Sequence, residues 1–405
     1  MKALTFEYSI PKYLLTGALA RGWRDVLHTS MAPVQMRDIP EPVLPAPDWV
    51  KIRPLLAGLC GSDLSIIACR ENLTLQPFAS FPFVLGHEVC GEIVEKGADV
   101  EGFEIGERVT VMPMLGCIPR RIDPPCRMCA EGRYALCGNF ITGSLKPGMF
   151  VGNTAGIPGF ISEMGVAHSS QLYRVPDEVD DACAVLTEPL STGLHMVFDN
   201  PFRESETVMV IGCGVMGLCT IISIRALHPE CRILAVEIDS FHSEIAMEMG
   251  ADEVIKPGGK AFYRKVAELT GAKMHTPLLA KPLLTGGVDR VFDAVGSTET
   301  LEASLRILAN GGWYNQLGIG EIGKIDWTPV WLKEITIRGI YGYHGRYDGE
   351  RGFNSFETAL RLFQEGKIDL SSMVTHRFSL EQWPEALDVA LNKGHNSAIK
   401  IAFTP

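Results

Sequence analysis

The stretch Val208-Met-Val-Ile-Gly212-Cys-Gly214-Val-Met-Gly217 decides the fold, because an apolar, strand-like run leads directly into a GxGxxG turn and then a helix-like segment. The first glycine allows a tight turn, the second lets the backbone approach a pyrophosphate, and the third lets the helix pack closely on the strand. The helix N-terminus offers free N–H groups to the phosphates. Unless these glycines serve packing alone, the turn predicts dinucleotide contacts at Gly212, Gly214, Val215, Met216 and Gly217.

An acidic residue follows the turn at the distance that a dinucleotide site needs. Glu237 lies 20 residues after Gly217 and ends the strand-like run Ile233–Glu237. A carboxylate in this position accepts hydrogen bonds from the ribose hydroxyls and repels a 2′-phosphate. The sequence therefore predicts NAD(H) rather than NADP(H) as the cofactor. The alternative is that Glu237 is a solvated strand end.

Strand-like and helix-like segments alternate from about Asp181 to Glu334, which predicts a parallel, doubly wound sheet. Before this region the chain is rich in short β-branched runs, and after it one amphipathic helix is predicted at Phe353–Gln364. The predicted alternating segments are Val208–Ile211, Val215–Leu227, Ile233–Glu237, Ser243–Met249, Val288–Asp293, Thr298–Leu308 and Gly312–Leu317.

Three long stretches are predicted to be loops. They are Ser9–Pro33, Thr142–Pro158 and Gly271–Gly286, and the first contains a possible short amphipathic helix within Lys12–Leu27. Loops of this length in compact domains are often lids over a site, contacts between subunits, or mobile segments.

The overall composition is that of a globular protein. Hydrophobic residues make up 46% and charged residues 21% of the 405 residues, which excludes a disordered chain, a collagen and a coiled-coil rod. The net charge of −11 makes nucleic acid and anionic membranes poor partners. Glu7, Pro11 and Lys12 interrupt the apolar core that a secretory signal would need. A cytoplasmic protein with no nucleic-acid or membrane partner is expected.

Four cysteines lie within 21 residues, in the pattern Cys117-x8-Cys126-x2-Cys129-x7-Cys137. A CxxC turn places two thiolates on one tetrahedral zinc ion with little strain, and two further thiolates close the coordination shell. We therefore expect a structural zinc site. Asp123 is an alternative to Cys117 as a ligand, and buried or redox-active thiols without metal are the alternative to zinc.

Three further stretches carry groups that bind metals or move protons. The first offers the Cys60 thiol and the Ser62 hydroxyl, the second the adjacent His87 and Glu88, and the third the Glu188 carboxylate. One cysteine, one histidine and one glutamate leave the fourth position of a zinc ion open, which is typical of a catalytic zinc. Each residue alone is equally compatible with an ordinary core or surface role.

Taken together, these motifs resemble the zinc-dependent medium-chain dehydrogenase/reductase superfamily. The similarity extends from about Val34 to Phe403, and the motifs occur in the order that is found in the family. The TEPLSTG turn is most similar to the polyol and threonine dehydrogenase branch. In chain order the motifs are GLCGSD (58–63), GHE (86–88), the cysteine pattern, TEPLSTG (187–193), VIGCGVMG (210–217) and FDAVG (292–296).

The resemblance implies an α/β plus β fold. A GroES-like, β-rich catalytic domain with both zinc sites is expected at residues 1–185 and 336–405. A doubly wound Rossmann domain that binds NAD is expected at residues 186–335. Because relatives in the family are dimers or tetramers, a homodimer or homotetramer is also expected.

The resemblance also implies roles for individual residues. Cys60, His87 and Glu188 are expected around the catalytic zinc, with Glu188 bound either directly or through water. Glu88 is expected to be a neighbouring acid that can move in as a ligand, and Ser62 is expected to carry the proton outward. Ser65 stands where relatives commonly have the histidine that ends the proton relay. Further expected cofactor contacts are Thr192, Val295, Leu317, Gly318 and Ile319.

The implied activity is hydride transfer between an alcohol and NAD(H), giving a ketone or an aldehyde. A secondary, polyol or cyclic alcohol is expected as the small-molecule substrate. One alternative is a zinc-independent reductase of enoyl or quinone type, although such relatives generally lack the zinc ligands. A non-catalytic NAD-binding protein is the other alternative.

Overall fold

The computed structural model describes residues 1–203, 205–320, 323–343, 345–346 and 353–405. The chain divides into two compact units. The first consists of Met1–Ser191 and Tyr343–Pro405, and the second is Thr192–Gly342. None of the helices in the described ranges has both the length and the apolar character needed to cross a membrane.

The strands and helices are numbered in chain order. The strands are β1 (Lys2–Phe6), β2 (Val34–Asp38), β3 (Trp49–Gly58), β4 (Phe83–Val84), β5 (Glu88–Lys96), β6 (Arg108–Val111), β7 (Gly165–His168), β8 (Leu172–Arg174), β9 (Thr207–Ile211), β10 (Arg232–Val236), β11 (Glu253–Ile255), β12 (Lys273–His275), β13 (Leu283–Thr285), β14 (Val288–Asp293), β15 (Leu308–Gln316), β16 (Thr336–Gly339), β17 (Gly345–Arg346), β18 (Phe353–Asn354), β19 (Val374–Ser379) and β20 (Lys400–Thr404). The helices are α1 (Ile10–Leu19), α2 (Gly61–Ile67), α3 (Arg127–Ala130), α4 (Asp181–Val185), α5 (Thr187–Phe198), α6 (Val215–Leu227), α7 (Ser240–Glu248), α8 (Gly259–Thr270), α9 (Thr298–Ile307), α10 (Thr328–Lys333), α11 (Ser355–Gln364) and α12 (Trp383–Leu391).

The first unit is built on a mainly antiparallel sheet. Its strands follow the order β19-β20-β3-β5-β6-β8, with β7 also paired to β3, and a smaller sheet has the order β2-β1-β4. The long strand β3 lies in the interior of the sheet, and all of its apolar residues except Leu55 are buried. Large side chains that fill the core include Trp49, Ile52, Phe160 and Phe403. This is the β-rich unit that the sequence predicts.

The second unit is a parallel sheet with the order β11-β10-β9-β14-β15-β16. Apart from the short strands β12 and β13, this corresponds to the order 3-2-1-4-5-6 of the doubly wound fold. The glycine turn follows β9, at the point where the strand order reverses. In this fold, ligands bind at the carboxyl ends of the strands at that point. The predicted α/β fold is therefore confirmed.

Three local predictions were wrong in detail. The predicted loop Gly271–Gly286 contains the β12–β13 hairpin, because Met274 and Leu284 pack into the core of the second unit and outweigh the turn-forming residues around them. The helix expected within Lys12–Leu27 ends at Leu19, and a separate 3₁₀ turn follows at Arg24–His28. The predicted helix Phe353–Gln364 begins only at Ser355, because the Asn354 side chain caps it.

Candidate active site

Strand register in the first unit explains why distant stretches of the chain converge. Gly58, at the end of β3, is paired with Glu88 on β5 and with Ala402 on β20. Cys60 lies two residues after Gly58 and is the N-cap residue of α2, while His87 directly precedes β5. The pairing therefore brings the predicted thiol, imidazole and carboxylate to the same end of the sheet.

The ligand atoms of Cys60, His87 and Glu88 all lie within 4.8 Å of one another. His87 and Glu88 are buried, and the Nδ1 atom of His87 has no hydrogen-bond partner among the described residues. Sulfur, nitrogen and carboxylate oxygen are the ligand atoms that zinc takes in proteins. This donor set therefore fits a zinc ion.

Asp63 supports two of these residues, and the sequence analysis gave it no role. One of its carboxylate oxygens accepts a hydrogen bond from the Cys60 backbone N–H at 3.0 Å. The other oxygen lies 3.7 Å from Nδ1 of His87. Carboxylates that face ligating histidines fix the orientation of the ring. The signal in the sequence was the acid at the third helical position after Cys60, which is typical of a capping box.

Lys400 is the second residue that the sequence analysis missed. Its side chain and that of Glu88 are 2% and 1% exposed, and Nζ donates hydrogen bonds to both carboxylate oxygens, one of them at 2.7 Å. Burial opposes the charge of Lys400, but the Glu88 carboxylate outweighs it and raises the lysine pKa. The buried Glu88 carboxylate therefore has a counter-charge within hydrogen-bond distance.

The predicted ligand Glu188 lies on α5 and is buried, but within the described chain it does not belong to the group of converging ligand atoms. Burial, reinforced by the charge of Glu88, raises the pKa of Glu188 to about 7, while His87 and a hydrogen bond with Tyr343 act in the opposite direction.

The predicted proton-relay residue Ser62 is half-buried on the first turn of α2. Ser65 donates its hydroxyl back to the Gly61 carbonyl at 3.2 Å.

The four clustered cysteines converge on one point. Their Sγ atoms lie within 4.8 Å of one another, with 3.7 Å between Cys117 and Cys137 and 3.9 Å between Cys126 and Cys137. Four thiolates about 2.3 Å from a tetrahedral zinc ion would be separated by about 3.8 Å. Among the described residues, the four cysteine sulfurs form this group of candidate ligand atoms, and Asp123, the alternative ligand to Cys117, does not belong to it. The cysteine cluster therefore also fits zinc.

Several N–H groups point at the cysteine sulfurs, as expected for thiolates. The Cys126 backbone and the Asn139 side chain both donate to Sγ of Cys117, each at 3.3 Å. A hydrogen bond from Cys129 lowers the pKa of Cys137, whereas burial raises the pKa of Cys117. Arg120, in the long first gap, is fully buried and donates to carbonyl groups of Leu115, Thr142, Leu145, Lys146 and Gly148. This arginine therefore holds the following loop in place.

In the second unit, the three glycines of the turn have different surroundings. Gly212 has φ +85°, and a Cβ atom at Gly217 would lie 1.8 Å from the Gly212 carbonyl oxygen. A Cβ atom at Gly214 would meet no atom within 4 Å, so this position faces open space. The first glycine is needed for its conformation and the third for packing, while the second leaves room for a ligand. Val215 and Met216 form the first turn of α6.

Glu237 is fixed by backbone donors around the turn. Its carboxylate accepts hydrogen bonds from Cys213 at 2.7 Å, Ile238 at 2.8 Å and Asp239 at 2.9 Å. Glu237 also lines a cavity of about 1120 Å³ in the second unit, together with Gly212 and Val295. The glycine turn and its acid therefore open into one space that can take a ligand.

Asp293 organises the far side of the turn. Its Oδ1 atom accepts hydrogen bonds from the backbone of Val295 and Gly296, each at 2.9 Å, and Oδ2 accepts one from the Tyr314 hydroxyl. Its carbonyl oxygen accepts hydrogen bonds from the N–H groups of Leu317 and Gly318. Ile319 follows and is exposed, whereas Thr192 is buried one turn after Glu188 on α5.

Comparisons with known proteins agree with this geometry. Residues 46–177 match the family model of the alcohol dehydrogenase GroES-like domain, and residues 216–365 match that of the zinc-binding dehydrogenases. An L-threonine 3-dehydrogenase from Pectobacterium atrosepticum is 30% identical over 372 residues, which cover 90% of each chain. A sorbitol dehydrogenase from Arabidopsis thaliana is 28% identical over 362 residues, which cover 88% of each chain.

A solved structure gives the same result at the level of the fold. The 2R,3R-butanediol dehydrogenase from Bacillus subtilis aligns with a TM-score of 0.74 and 25% identity, over 100% of this chain and 99% of the other. The chain combines a β-rich unit with a parallel α/β unit. It also carries a glycine turn with its acid and two donor sets that fit zinc. These features together define a zinc-dependent dehydrogenase. The chain belongs to the zinc-dependent medium-chain alcohol dehydrogenase family.

Proposed function

We propose that this protein is a zinc-dependent, NAD(H)-linked oxidoreductase that interconverts an alcohol and its ketone or aldehyde. The observation that carries the proposal is the convergence of Cys60, His87 and Glu88 within 4.8 Å, in a chain that also carries the glycine turn. Enoyl and quinone reductases of the superfamily generally lack this donor set, which argues against that alternative. Catalysis, rather than cofactor binding alone, explains why such donors are buried together.

In the proposed mechanism, Cys60 and His87 would hold the catalytic zinc together with a carboxylate, either Glu88 or Glu188, and Glu188 would act directly or through water. When bound, zinc supplies a Lewis acid that makes the substrate hydroxyl more acidic, and NAD supplies the acceptor for the hydride. Asp63 keeps the His87 ring oriented, and Lys400 holds the Glu88 carboxylate in place near the ligands. Ser62 would accept the hydroxyl proton while it donates its own proton to water or to another group, because Ser65 cannot act as a terminal base.

We propose NAD(H) rather than NADP(H), because the fixed carboxylate of Glu237 would lie where a 2′-phosphate must fit. Replacing Glu237 with alanine removes that repulsion, so the ratio of kcat/KM for NADP to that for NAD should rise at least tenfold. Steady-state kinetics with both cofactors tests this expectation. An unchanged ratio would count against the assignment. Glu230→Ala is the matched control, because Glu230 is an exposed acid that does not line the cavity.

The substrate class and the assembly are further proposals. Similarity to threonine, sorbitol and butanediol dehydrogenases supports a secondary or polyhydroxy alcohol as the substrate, and a cyclic alcohol remains the other expectation. A GroES-like catalytic domain at residues 1–185 and 336–405, an NAD-binding domain at 186–335, a homodimer or homotetramer, and a cytoplasmic location stay predictions from the sequence.

The direct test is a screen for NAD reduction with linear secondary alcohols, polyols and cyclic alcohols, followed by NADH absorbance. We expect turnover with at least one class, loss of that turnover in the presence of a chelator, and its recovery after zinc is added. His87→Ala should abolish turnover with every substrate. A His87→Ala protein as active as the wild type would overturn the proposed function.

A further inference from the structure

The β12–β13 hairpin of the second unit ends in two unusually exposed apolar side chains. Leu278 and Leu279 are 97% and 96% exposed, and they lie in the segment between Pro277 and Pro282. Leaving two adjacent leucines in water loses the free energy that their burial would contribute. Adjacent apolar side chains exposed to this degree therefore suggest a surface that is covered when a ligand binds.

Contacts with the core of the second unit and with α9 hold the hairpin in a defined position. Leu284 on β13 is fully buried in the core of the second unit. Lys281 forms an ion pair with Glu302 on α9, and the Arg306 guanidinium donates to the Lys281 carbonyl at 3.1 Å. These contacts anchor the base of the tip to α9.

The anchored tip lines the same cavity as the glycine turn. Leu278 and Leu279 line this space together with Gly212, Glu237 and Ile238. A dinucleotide with its pyrophosphate at the glycine turn and its ribose at Glu237 must extend its adenine away from the turn. Ile238 follows Glu237 in the chain, is 77% exposed and lines the same cavity as the hairpin tip, so these apolar side chains are available to the adenine.

We infer that the hairpin tip is an adenine-binding element, in which Leu278 and Leu279 pack on the adenine ring of NAD. Adenine offers a flat, largely apolar face, which fits a cavity that is lined by two leucines and by Ile238. The inference rests on the proposed binding of NAD at the glycine turn. The hairpin tip therefore contributes to the affinity of the protein for the adenosine half of NAD.

The test measures binding of ADP-ribose, which retains the adenosine half of NAD and lacks nicotinamide, to the full-length protein by titration calorimetry. In the double variant Leu278→Ser and Leu279→Ser, we expect the dissociation constant to rise about tenfold. The KM for NAD should rise by a similar factor, while kcat at saturating NAD and the KM for the alcohol stay unchanged. Val43→Ser is the control, because Val43 is 83% exposed and lies in the first unit.

The outcomes separate this inference from the proposed function. If the wild-type protein does not bind ADP-ribose, the cofactor site itself is wrong and the inference fails with it. If the wild type binds and the double variant binds equally tightly, the inference alone is overturned. A change in molecular mass by light scattering with an unchanged dissociation constant would identify the tip as a contact between copies, and would overturn it as well.

Discussion

Glu88 is the carboxylate around which the residues of the candidate zinc site are arranged. It faces Gly58 across the β3–β5 pair, and Lys400 binds both of its oxygens. A Cβ atom at Gly58 would lie 2.0 Å from one carboxylate oxygen. The absence of a side chain at Gly58 therefore allows Glu88 to take its position among the candidate metal ligands.

Gly58→Ala should displace Glu88 and disturb the converging ligands, so we expect loss of the catalytic zinc and a fall in kcat/KM of at least tenfold. Gly61→Ala is the matched control, because a Cβ atom there would meet no atom within 4 Å. Metal analysis and kinetics of both variants test the prediction. Equal zinc content and activity in the two variants would contradict it.

Lys400→Met would leave Glu88 buried without a counter-charge, which typically destabilises a protein by about 3–5 kcal/mol. We therefore expect a clearly lower midpoint of thermal unfolding. The exposed pair of Lys367 and Glu365 provides the control, because Lys367→Met should change stability by less than about 1 kcal/mol. Similar shifts for both lysine variants would argue against the buried pair.

At the residue scale, the candidate zinc ligands could be predicted from the sequence, but the residues that hold those ligands in place could not. Cys60, His87 and Glu88 occur in short motifs whose residue types indicate chemistry. Lys400 is 312 positions from Glu88 and is in no motif. The one signal for it is a buried-strand position, because Lys400 begins β20 and is followed by three apolar residues, and only the pairing of strands reveals its partner.

At the element scale, Lys333 caps α9. Its Nζ donates to the carbonyls of Arg306 at 3.0 Å and Leu308 at 2.6 Å, and burial, helped by the charge of Arg306, lowers the pKa of Lys333 to about 8. Between this value and the ordinary 10.5, the unfolded chain binds more protons than the folded one. The free energy of unfolding therefore gains a contribution that rises with pH across this window.

Lys333→Met should remove that contribution, so the difference in stability between wild type and variant should change between pH 7.5 and 10. Urea unfolding of both proteins, followed at the two pH values, measures it. A difference that does not depend on pH would show that Lys333 titrates normally. Using the difference between the two proteins cancels the titration of other groups.

Elements with a strong local pattern could be predicted, and those that depend on distant packing could not. The helix Val215–Leu227 and the strand Val288–Asp293 have the predicted bounds, because a glycine turn and an apolar run define them. The β12–β13 hairpin was missed because prolines flank its tip and its strands are short. Contacts with the core of the second unit determine that hairpin.

At the scale of the whole molecule, the chain combines a β-rich unit that carries two zinc-compatible donor sets with a parallel α/β unit that carries the glycine turn. The change from short strands to alternating segments made both units predictable from the sequence. The order of motifs along the chain made the family predictable. The substrate could not be predicted in the same way, because its specificity depends on side chains outside these motifs.

The most direct test is the number of zinc ions per chain, measured by mass spectrometry of metals on the purified protein beside its NAD-linked activity. We predict two zinc ions in the wild type, one in His87→Ala with no turnover, and one in Cys126→Ser with the catalytic ion retained. A His87→Ala protein that keeps both its zinc content and its turnover would contradict the central claim that these converging residues hold the catalytic metal.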